Sequence, residues 1–215
     1  YGVYVGMEYT VGDFIYRVTA IDSITSGRTK LIGVVAAKKS KLTKVTVPNT
    51  ANFKGYGLNV TEVGDNAFKA MKKLKKVTFG ANVKVIGNAA FSNCKKLNKI
   101  NFKNVTTIGN NAFAGCKTLK KLTIGSKVTT IGKNAFKKCT KLKTVVIGKS
   151  VKTIKAKAFT KDNKIKKITF KGKKLKTVKK NALSSKVKKN IKTKKTKLKG
   201  NKKAIKVFKK KLKIK

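Results

Sequence analysis

The amino-acid sequence predicts a mainly β, right-handed solenoid of about five to six coils with a β-rich capping unit at its N-terminal end. Three observations carry this. A cassette of about twenty-three residues recurs in phase: VTEVGDNAFKAMKKLKKVTF (60–79), VKVIGNAAFSNCKKLNKINF (83–102), VTTIGNNAFAGCKTLKKLTI (105–124), VTTIGKNAFKKCTKLKTVVI (128–147) and VKTIKAKAFTKDNKIKKITF (151–170), with a fading sixth copy, LKTVKKNAL (175–183). Each copy holds an alternating strand signature at the same place. The first 58 residues lack the period and read instead as short strands separated by turn signals.

Taken in order, residues 1–58 suggest strands at Val3–Val5, Phe14–Ile21, Leu31–Ala36 and Leu42–Val47, divided by turns at Gly12-Asp13 and Ser26-Gly27. A solenoid with an open terminal coil would expose its apolar face, so this segment is expected to cap it, with Lys54–Gly57 as the junction. Within 59–183, the run L-K-K-V-T-F (74–79) alternates as a strand does, with Leu74, Val77 and Phe79 inward. Its equivalents are Leu97/Ile100/Phe102, Leu119/Leu122/Ile124, Leu142/Val145/Ile147 and Ile165/Ile168/Phe170. The V-x-x-I-G portion reads as a second short strand and x-x-A-F-x-x-C as a single helical turn. Gly64, Gly87, Gly109 and Gly132 suit the corner between them. Phe68, Phe91, Phe113, Phe136 and Phe159 are expected to form a buried aromatic spine, which Leu183 ends. The Lys-rich segment 184–215 is read as a cap or tail, with a mobile stretch at 184–203 and closing strands from Ile205, Val207, Leu212 and Ile214.

A fixed period in the twenties signals a leucine-rich-repeat type of solenoid. The pattern V-x-x-I-G-x-x-A-F-x-x-C-x-x-L-x-x-(V/I/L)-x-(I/F) resembles the BspA-like leucine-rich repeats of bacterial and protist surface proteins, over roughly 60–183. YTVGDFIYRVTAI (9–21) and KLTKVTVPNT (41–50) resemble the β-rich unit that often leads into such repeats, and AIKVFKKKLKIK (204–215) resembles a Lys-rich closing segment. The resemblance implies a secreted or surface-anchored protein, often an adhesin, with no known catalytic activity. It identifies no ligand.

Charge bounds the partners. The 215 residues carry 57 basic and 6 acidic side chains, a formal net charge of +51. The bases are Lys except Arg17 and Arg28, and beyond Asn66 the only acid is Asp162. The repeats can therefore form few ion pairs, and their lysines are either solvated or meet an external anion. A field of this size attracts polyanions and repels other copies, so a monomer is expected. Compositional drift towards Lys or selection for solubility is the competing explanation, and the Lys-over-Arg bias favours it slightly, because Arg is the better bidentate anion ligand. No apolar run approaches the ~20 residues that span a bilayer. The chain opens at Tyr1 without Met, so a signal peptide is presumed removed.

Chemistry has little to work with. Cys94, Cys116 and Cys139 share one cassette position, and Met71 fills it in the first copy. Their spacing is not that of a metal site, the chain contains no His, and the count is odd. A buried cysteine ladder is expected, with a disulfide between stacked neighbours as the residual reading. Asp162 takes this position in the fifth copy and is expected either at the surface or neutralised by a Lys. The absence of His and of paired carboxylates on the solenoid leaves no catalytic residue, no metal ligand set and no cofactor to name.

The exposed strand positions carry the functional expectation. Lys76, Lys99, Lys121 and Lys167 alternate with the inward residues, and Lys75, Lys120, Lys143 and Lys166 form a neighbouring column. In register these become cation ladders about one strand spacing (~4.8 Å) apart, with repulsion on the order of 1 kcal/mol per neighbour before screening. A flexible polyanion such as teichoic acid, a sulfated glycan or extracellular nucleic acid would relieve it. Aromatics are absent from this face, so any nucleic-acid contact would be unspecific and made to the backbone. The leading expectation is a non-enzymatic surface or secreted protein for adhesion or macromolecular binding, to anionic polymers or to host or envelope proteins. A spacer displaying other domains and an unspecific nucleic-acid binder are the alternatives.

Overall fold

Each cassette folds into one coil with two strand positions, and strands of successive coils pair in parallel. The computed structural model describes residues 4–19, 32–37, 41–53 and 55–215, with 32–37, 53 and 56 described by backbone alone. The first elements are β1 (Glu8–Val11), β2 (Phe14–Val18), β3 (Ile32–Ala37), β4 (Lys44–Val47), β5 (Thr50–Phe53) and β6 (Tyr56–Val63). The repeats supply long strands β7 (Lys76–Phe79), β9 (Lys99–Asn101), β11 (Lys121–Thr123), β13 (Thr144–Ile147) and β15 (Lys167–Phe170). They alternate with short strands β8 (Val85–Ile86), β10 (Thr107–Ile108), β12 (Thr130–Ile131), β14 (Thr153–Ile154) and β16 (Thr177–Val178). The chain ends with α1 (Ser185–Lys192), β17 (Lys197–Gly200) and α2 (Lys202–Leu212).

The short strands continue a ten-stranded sheet that starts in the N-terminal segment, in the order β1-β2-β3-β6-β8-β10-β12-β14-β16, with β5 paired to β6. β1, β2 and β3 are antiparallel, and pairing turns parallel from β3–β6 onward. The long strands form β4-β7-β9 and β11-β13-β15-β17. The architecture is the mainly β solenoid expected. The inward positions are buried as predicted, except Ile100, which is partly buried and packed against the same core.

The aromatic spine runs through the coils. Phe68, Phe91, Phe113, Phe136 and Phe159 stack nearly parallel, with successive centroids 5.0, 5.2, 5.4 and 5.6 Å apart. Phe14 meets Phe68 edge-on at 5.6 Å, and Phe79 and Phe102 brace the stack from the side. Stacked and edge-on rings at these separations add to the gain from area burial.

Two local expectations change. The x-x-A-F-x-x-C segment is a pair of successive turns rather than a helical turn. In the first repeat Ala67 N donates to the Gly64 carbonyl at 3.3 Å and Lys69 N to Asn66 at 3.0 Å. Asn66 and Ala70, both at φ 60°, take the left-handed conformation between them. This orientation sends the amides of Asn66, Phe68 and Ala70 to the carbonyls of Asn88, Ala90 and Ser92 in the next coil, at 2.9, 2.7 and 2.7 Å. A helix would satisfy those donors within the coil; the solenoid uses them between coils. The glycine column also has a different cause. Gly87 and Gly109 are not in the left-handed region, but a Cβ on Gly87 would lie 2.6 Å from the Val63 carbonyl oxygen, and one on Gly109 2.7 Å from the Gly87 carbonyl carbon. Close approach of neighbouring backbones requires them.

Beside this column runs a side-chain ladder absent from the sequence reading. Asp65 Oδ1 accepts from Asn88 N at 2.6 Å, Asn88 Oδ1 from Asn110 N at 2.8 Å, and Asn110 Oδ1 from Lys133 N at 2.8 Å. Each carboxylate or amide oxygen thus receives the backbone of the following coil. The ladder ends where Lys133 supplies no acceptor.

Both termini depart from expectation. Tyr4 and Val5 are exposed and lie outside any strand, while Val3 is outside the described residues, as are parts of the Phe14–Ile21 and Leu31–Ala36 strands. At the expected junction Phe53 pairs with Tyr56, and β5 and β6 form an antiparallel hairpin. At the C-terminus, residues 184–203 contain α1 and β17, and 204–214 form most of α2 rather than closing strands. Ala204, Phe208 and Leu212 recur every four residues and are buried, which is the period of a helix facing the last coil. Asn201 caps α2 by accepting from Ala204 N at 3.1 Å, and Ser184 caps α1 through Val187 N at 3.3 Å. Phe208 reaches Phe170, centroids 5.0 Å apart, and so covers the end of the core.

Phe113 is fully buried between two stacked rings and a third edge-on. Phe113→Ala should lower stability by about 3–5 kcal/mol in equilibrium denaturation. A change within about 1 kcal/mol of wild type would contradict its central place in the spine.

Candidate functional site: a lysine-columned sheet face

The register of the long strands places lysines directly beside one another. Lys44 pairs with Lys76, and Lys76 with Lys99. In the second long-strand sheet Lys121 pairs with Thr144, Thr144 with Lys167, and Lys167 with Lys197. Thr144 is the one neutral step in that second run. The adjoining column is continuous over Lys120, Lys143 and Lys166, whose backbones link at 2.8 Å from Lys143 N to Lys120 O and from Lys166 N to Lys143 O. Lys75 joins Asn98 at this position, with Asn98 N donating to Lys75 O at 3.0 Å. All eight lysines expected on this face have surface access; Lys76 is half-buried and the other seven are exposed.

The face is longer than the sequence reading made it. Lys44 and Lys197 extend the first column at its two ends, and Lys199 adds a cation opposite Thr169. Their signal was present in K-V-T-V (44–47) and K-L-K-G (197–200), which echo the repeat strand outside the counted copies. No acidic side chain interrupts the columns, since the sole acid beyond Asp65 is Asp162. Phe79 and Phe170 of the long repeat strands, and Phe102 directly after β9, are buried, so the face offers charge without stacking platforms. The chemistry available is multivalent, hydrated, cationic contact.

Among the described residues, no group of three or more metal-ligating side chains converges. No helix there is long and apolar enough to cross a membrane.

A family model described as BspA type leucine-rich repeat region matches residues 61–192 in six copies. The chain belongs to the BspA-type leucine-rich repeat family. None of the curated proteins compared matches it. Among solved structures, it resembles a leucine-rich repeat protein of T. pallidum at 24% identity and TM-score 0.63, covering 90% of this chain and 86% of that one. A leucine-rich cell surface protein of Faecalibacterium prausnitzii A2-165 is similar at 24% identity and TM-score 0.58, over 84% of this chain and 51% of that one. A leucine-rich repeat protein of Bacteroides ovatus aligns at 23% identity and TM-score 0.54, over 82% and 55%. The chain therefore spans about half the length of the last two, and the likeness is one of fold.

Within this BspA-type repeat, the Cys position faces the interior. Cys94, Cys116 and Cys139 are free thiols, fully buried. Each Sγ points at the carbonyl of the Phe one coil earlier: Phe68 at 3.1 Å, Phe91 at 3.5 Å and Phe113 at 3.4 Å. Burial raises all three thiol pKa values, Cys94 to about 11.

Asp162 continues this ladder and overturns its expectation. It is fully buried, with no solvent access and no Lys beside its carboxylate, and neither oxygen has a hydrogen-bond partner. Desolvation raises its pKa from the ordinary 3.8 to about 8, against a smaller opposing effect of the Cys139 backbone. The thiols of this column donate to carbonyls of the preceding coil. A protonated carboxyl can donate there as the thiols do; a carboxylate cannot.

Two expectations follow. Because the folded carboxyl holds its proton to about pH 8 and the unfolded one ionises near 3.8, folding takes up a proton between these values. Stability is highest below the lower value, declines as pH rises between the two and levels above the upper one. Asp162→Asn should flatten this decline and raise stability at pH 8 by an amount on the order of a few kcal/mol, read from urea melts across pH. Unchanged pH dependence would show that Asp162 ionises freely. The three thiols should react with a thiol reagent only as fast as the fold opens; prompt native labelling would place them at the surface.

Proposed function

We propose that this chain is a non-enzymatic binding protein of the cell surface or the secreted space, and that its long-strand face holds anionic polymers. The observation that carries the reading is the register: Lys44, Lys76 and Lys99 in one run, and Lys167 with Lys197 in the other, are direct lateral neighbours with no acid among them. Like charges fixed about one strand spacing apart repel, and a flexible polyanion laid across them relieves the repulsion and releases its own counterions. Hydrated lysines without aromatic neighbours favour backbone charge over sequence, so teichoic acid, sulfated glycan and nucleic-acid backbone are of one class here. The surface location rests on the family and on a fold neighbour described as a cell surface protein.

A spacer role is the second reading. It is favoured by exposed lysines away from the long-strand face, such as Lys152 and Lys176 preceding the short strands.

Titration of heparin, teichoic acid and duplex DNA at several ionic strengths separates the two. Binding should weaken steeply with salt. Replacing Lys76, Lys99, Lys121 and Lys167 with Gln should reduce the salt slope, by about 0.9 for each DNA phosphate that is no longer neutralised. Replacing Lys202, Lys203, Lys206 and Lys210 on α2 should leave the slope nearly unchanged; truncating the tail would instead uncap the core. No binding at low salt would leave the spacer reading.

A further inference from the structure

β17 forms one end of its four-stranded sheet, and among the described residues only one of its edges is paired. It lies parallel to β15, with Lys197 opposite Lys167, Leu198 opposite Ile168 and Lys199 opposite Thr169. Lys197 N donates to the Lys166 carbonyl at 2.8 Å, so Lys197 directs its backbone groups at the sheet. Direction alternates along a strand, and the N–H and C=O of Leu198 therefore face away from β15, unpaired. Beside this edge lies a cavity of about 420 Å³. Ile191 of α1, Leu198, and Ile205 of α2 give it an apolar wall, while Lys194, Lys199 and Lys209 give it charge.

We infer that the free edge of β17 is a docking strand for an extended acidic peptide segment. Three features select this occupant. The outward backbone donor and acceptor of Leu198 are matched by another strand, as in recognition by strand addition. Lys197 and Lys199 are exposed and flank Leu198 on the opposite side of the strand. A paired segment therefore sets acidic side chains beside both lysines and an apolar side chain between them, directed to the cavity. A second copy of this chain is disfavoured by its net charge of +51. The lysines that keep like chains from pairing at this edge are the ones that accept a chain of opposite sign. The pattern recognised is acidic–apolar–acidic in extended conformation.

This inference shares Lys197 with the polymer reading, but it rests on the free edge and the cavity, and its test does not depend on the four lysines replaced there. The probe is a fluorescent peptide of alternating Glu and Val, compared with the same sequence N-methylated at alternate amides, against the full chain at moderate salt. The unmethylated peptide should bind about tenfold tighter, the effect of one or two backbone hydrogen bonds. Its binding should slow hydrogen exchange at the Leu198 amide and persist when Lys76, Lys99, Lys121 and Lys167 are Gln. Leu198→Pro removes the outward amide and should abolish the methylation difference; the exchange measurement needs no variant and decides the matter if that protein does not fold. Equal affinity for the two peptides, or an unprotected Leu198 amide, would reduce the contact to diffuse charge and overturn the proposal. Sedimentation showing a dimer with Leu198 already protected would assign the edge to a second copy instead.

Discussion

Successive coils approach to about one strand spacing, so the nearest neighbour of a side chain outside its own coil is usually the same cassette position in the next copy. Each position must therefore be compatible with itself at that distance. Phenylalanine satisfies this by stacking ring on ring, with centroids 5.0 to 5.6 Å apart. Cysteine does so by passing its S–H to a carbonyl of the preceding coil. Glycine does so by having no Cβ where backbones nearly touch. Asparagine does so by carrying both a donor and an acceptor, so that its oxygen can take the next backbone amide. The repeat consensus is a set of residues that tolerate their own company.

The places where the pattern breaks follow from the same constraint. Asp162 enters a column built for thiols and is tolerable there only as a neutral acid, since a carboxylate would be buried without a partner. The last coil has no following copy to meet. Its exposed interior is covered by α2, whose Phe208 takes the place next to Phe170 that another coil would fill. At the other end Phe14, from the antiparallel hairpin, covers Phe68. The caps thus supply dissimilar partners where similar ones run out.

The period, the inward triplets and the Phe and Cys columns were legible in the sequence because each is one residue type repeated at a fixed offset. The turn geometry at x-x-A-F-x-x-C was not. Its spacing fits a helical turn equally well, and what decides against a helix is the demand of the next coil for Asn66, Phe68 and Ala70 amides, which no single copy reveals. The C-terminal helix was missed for a different reason: reading Ile205, Val207, Leu212 and Ile214 as the apolar set hid the four-residue step of Ala204, Phe208 and Leu212. The burial of Asp162 could be inferred from its column, but its charge outweighed its place in the pattern. On the candidate face the repeat lysines were legible, whereas Lys44 and Lys197 lie in strand-like runs outside the counted copies, and the register is what sets them beside Lys76 and Lys167.

The lysine columns are the exception to self-compatibility, and this gives them their interest. Every buried column gains from contact with its own copy, while the exposed Lys columns lose by it. Lysine is tolerated there because its long stem lets the charge move off the column into water, as the half-buried Lys76 illustrates. That freedom lowers the repulsion without removing it. Intramolecular relief is closed off, because the repeats beyond Asp65 contain one acid and it is buried. The relief left to the face must come from outside the chain, from mobile counterions or from a linked set of anions that displaces them. A linked set gains the entropy of the ions it frees, and the gain grows with each coil it crosses. On the proposed polymer reading, a repeat scaffold with fixed lateral spacing would turn a local electrostatic cost into an affinity that scales with length.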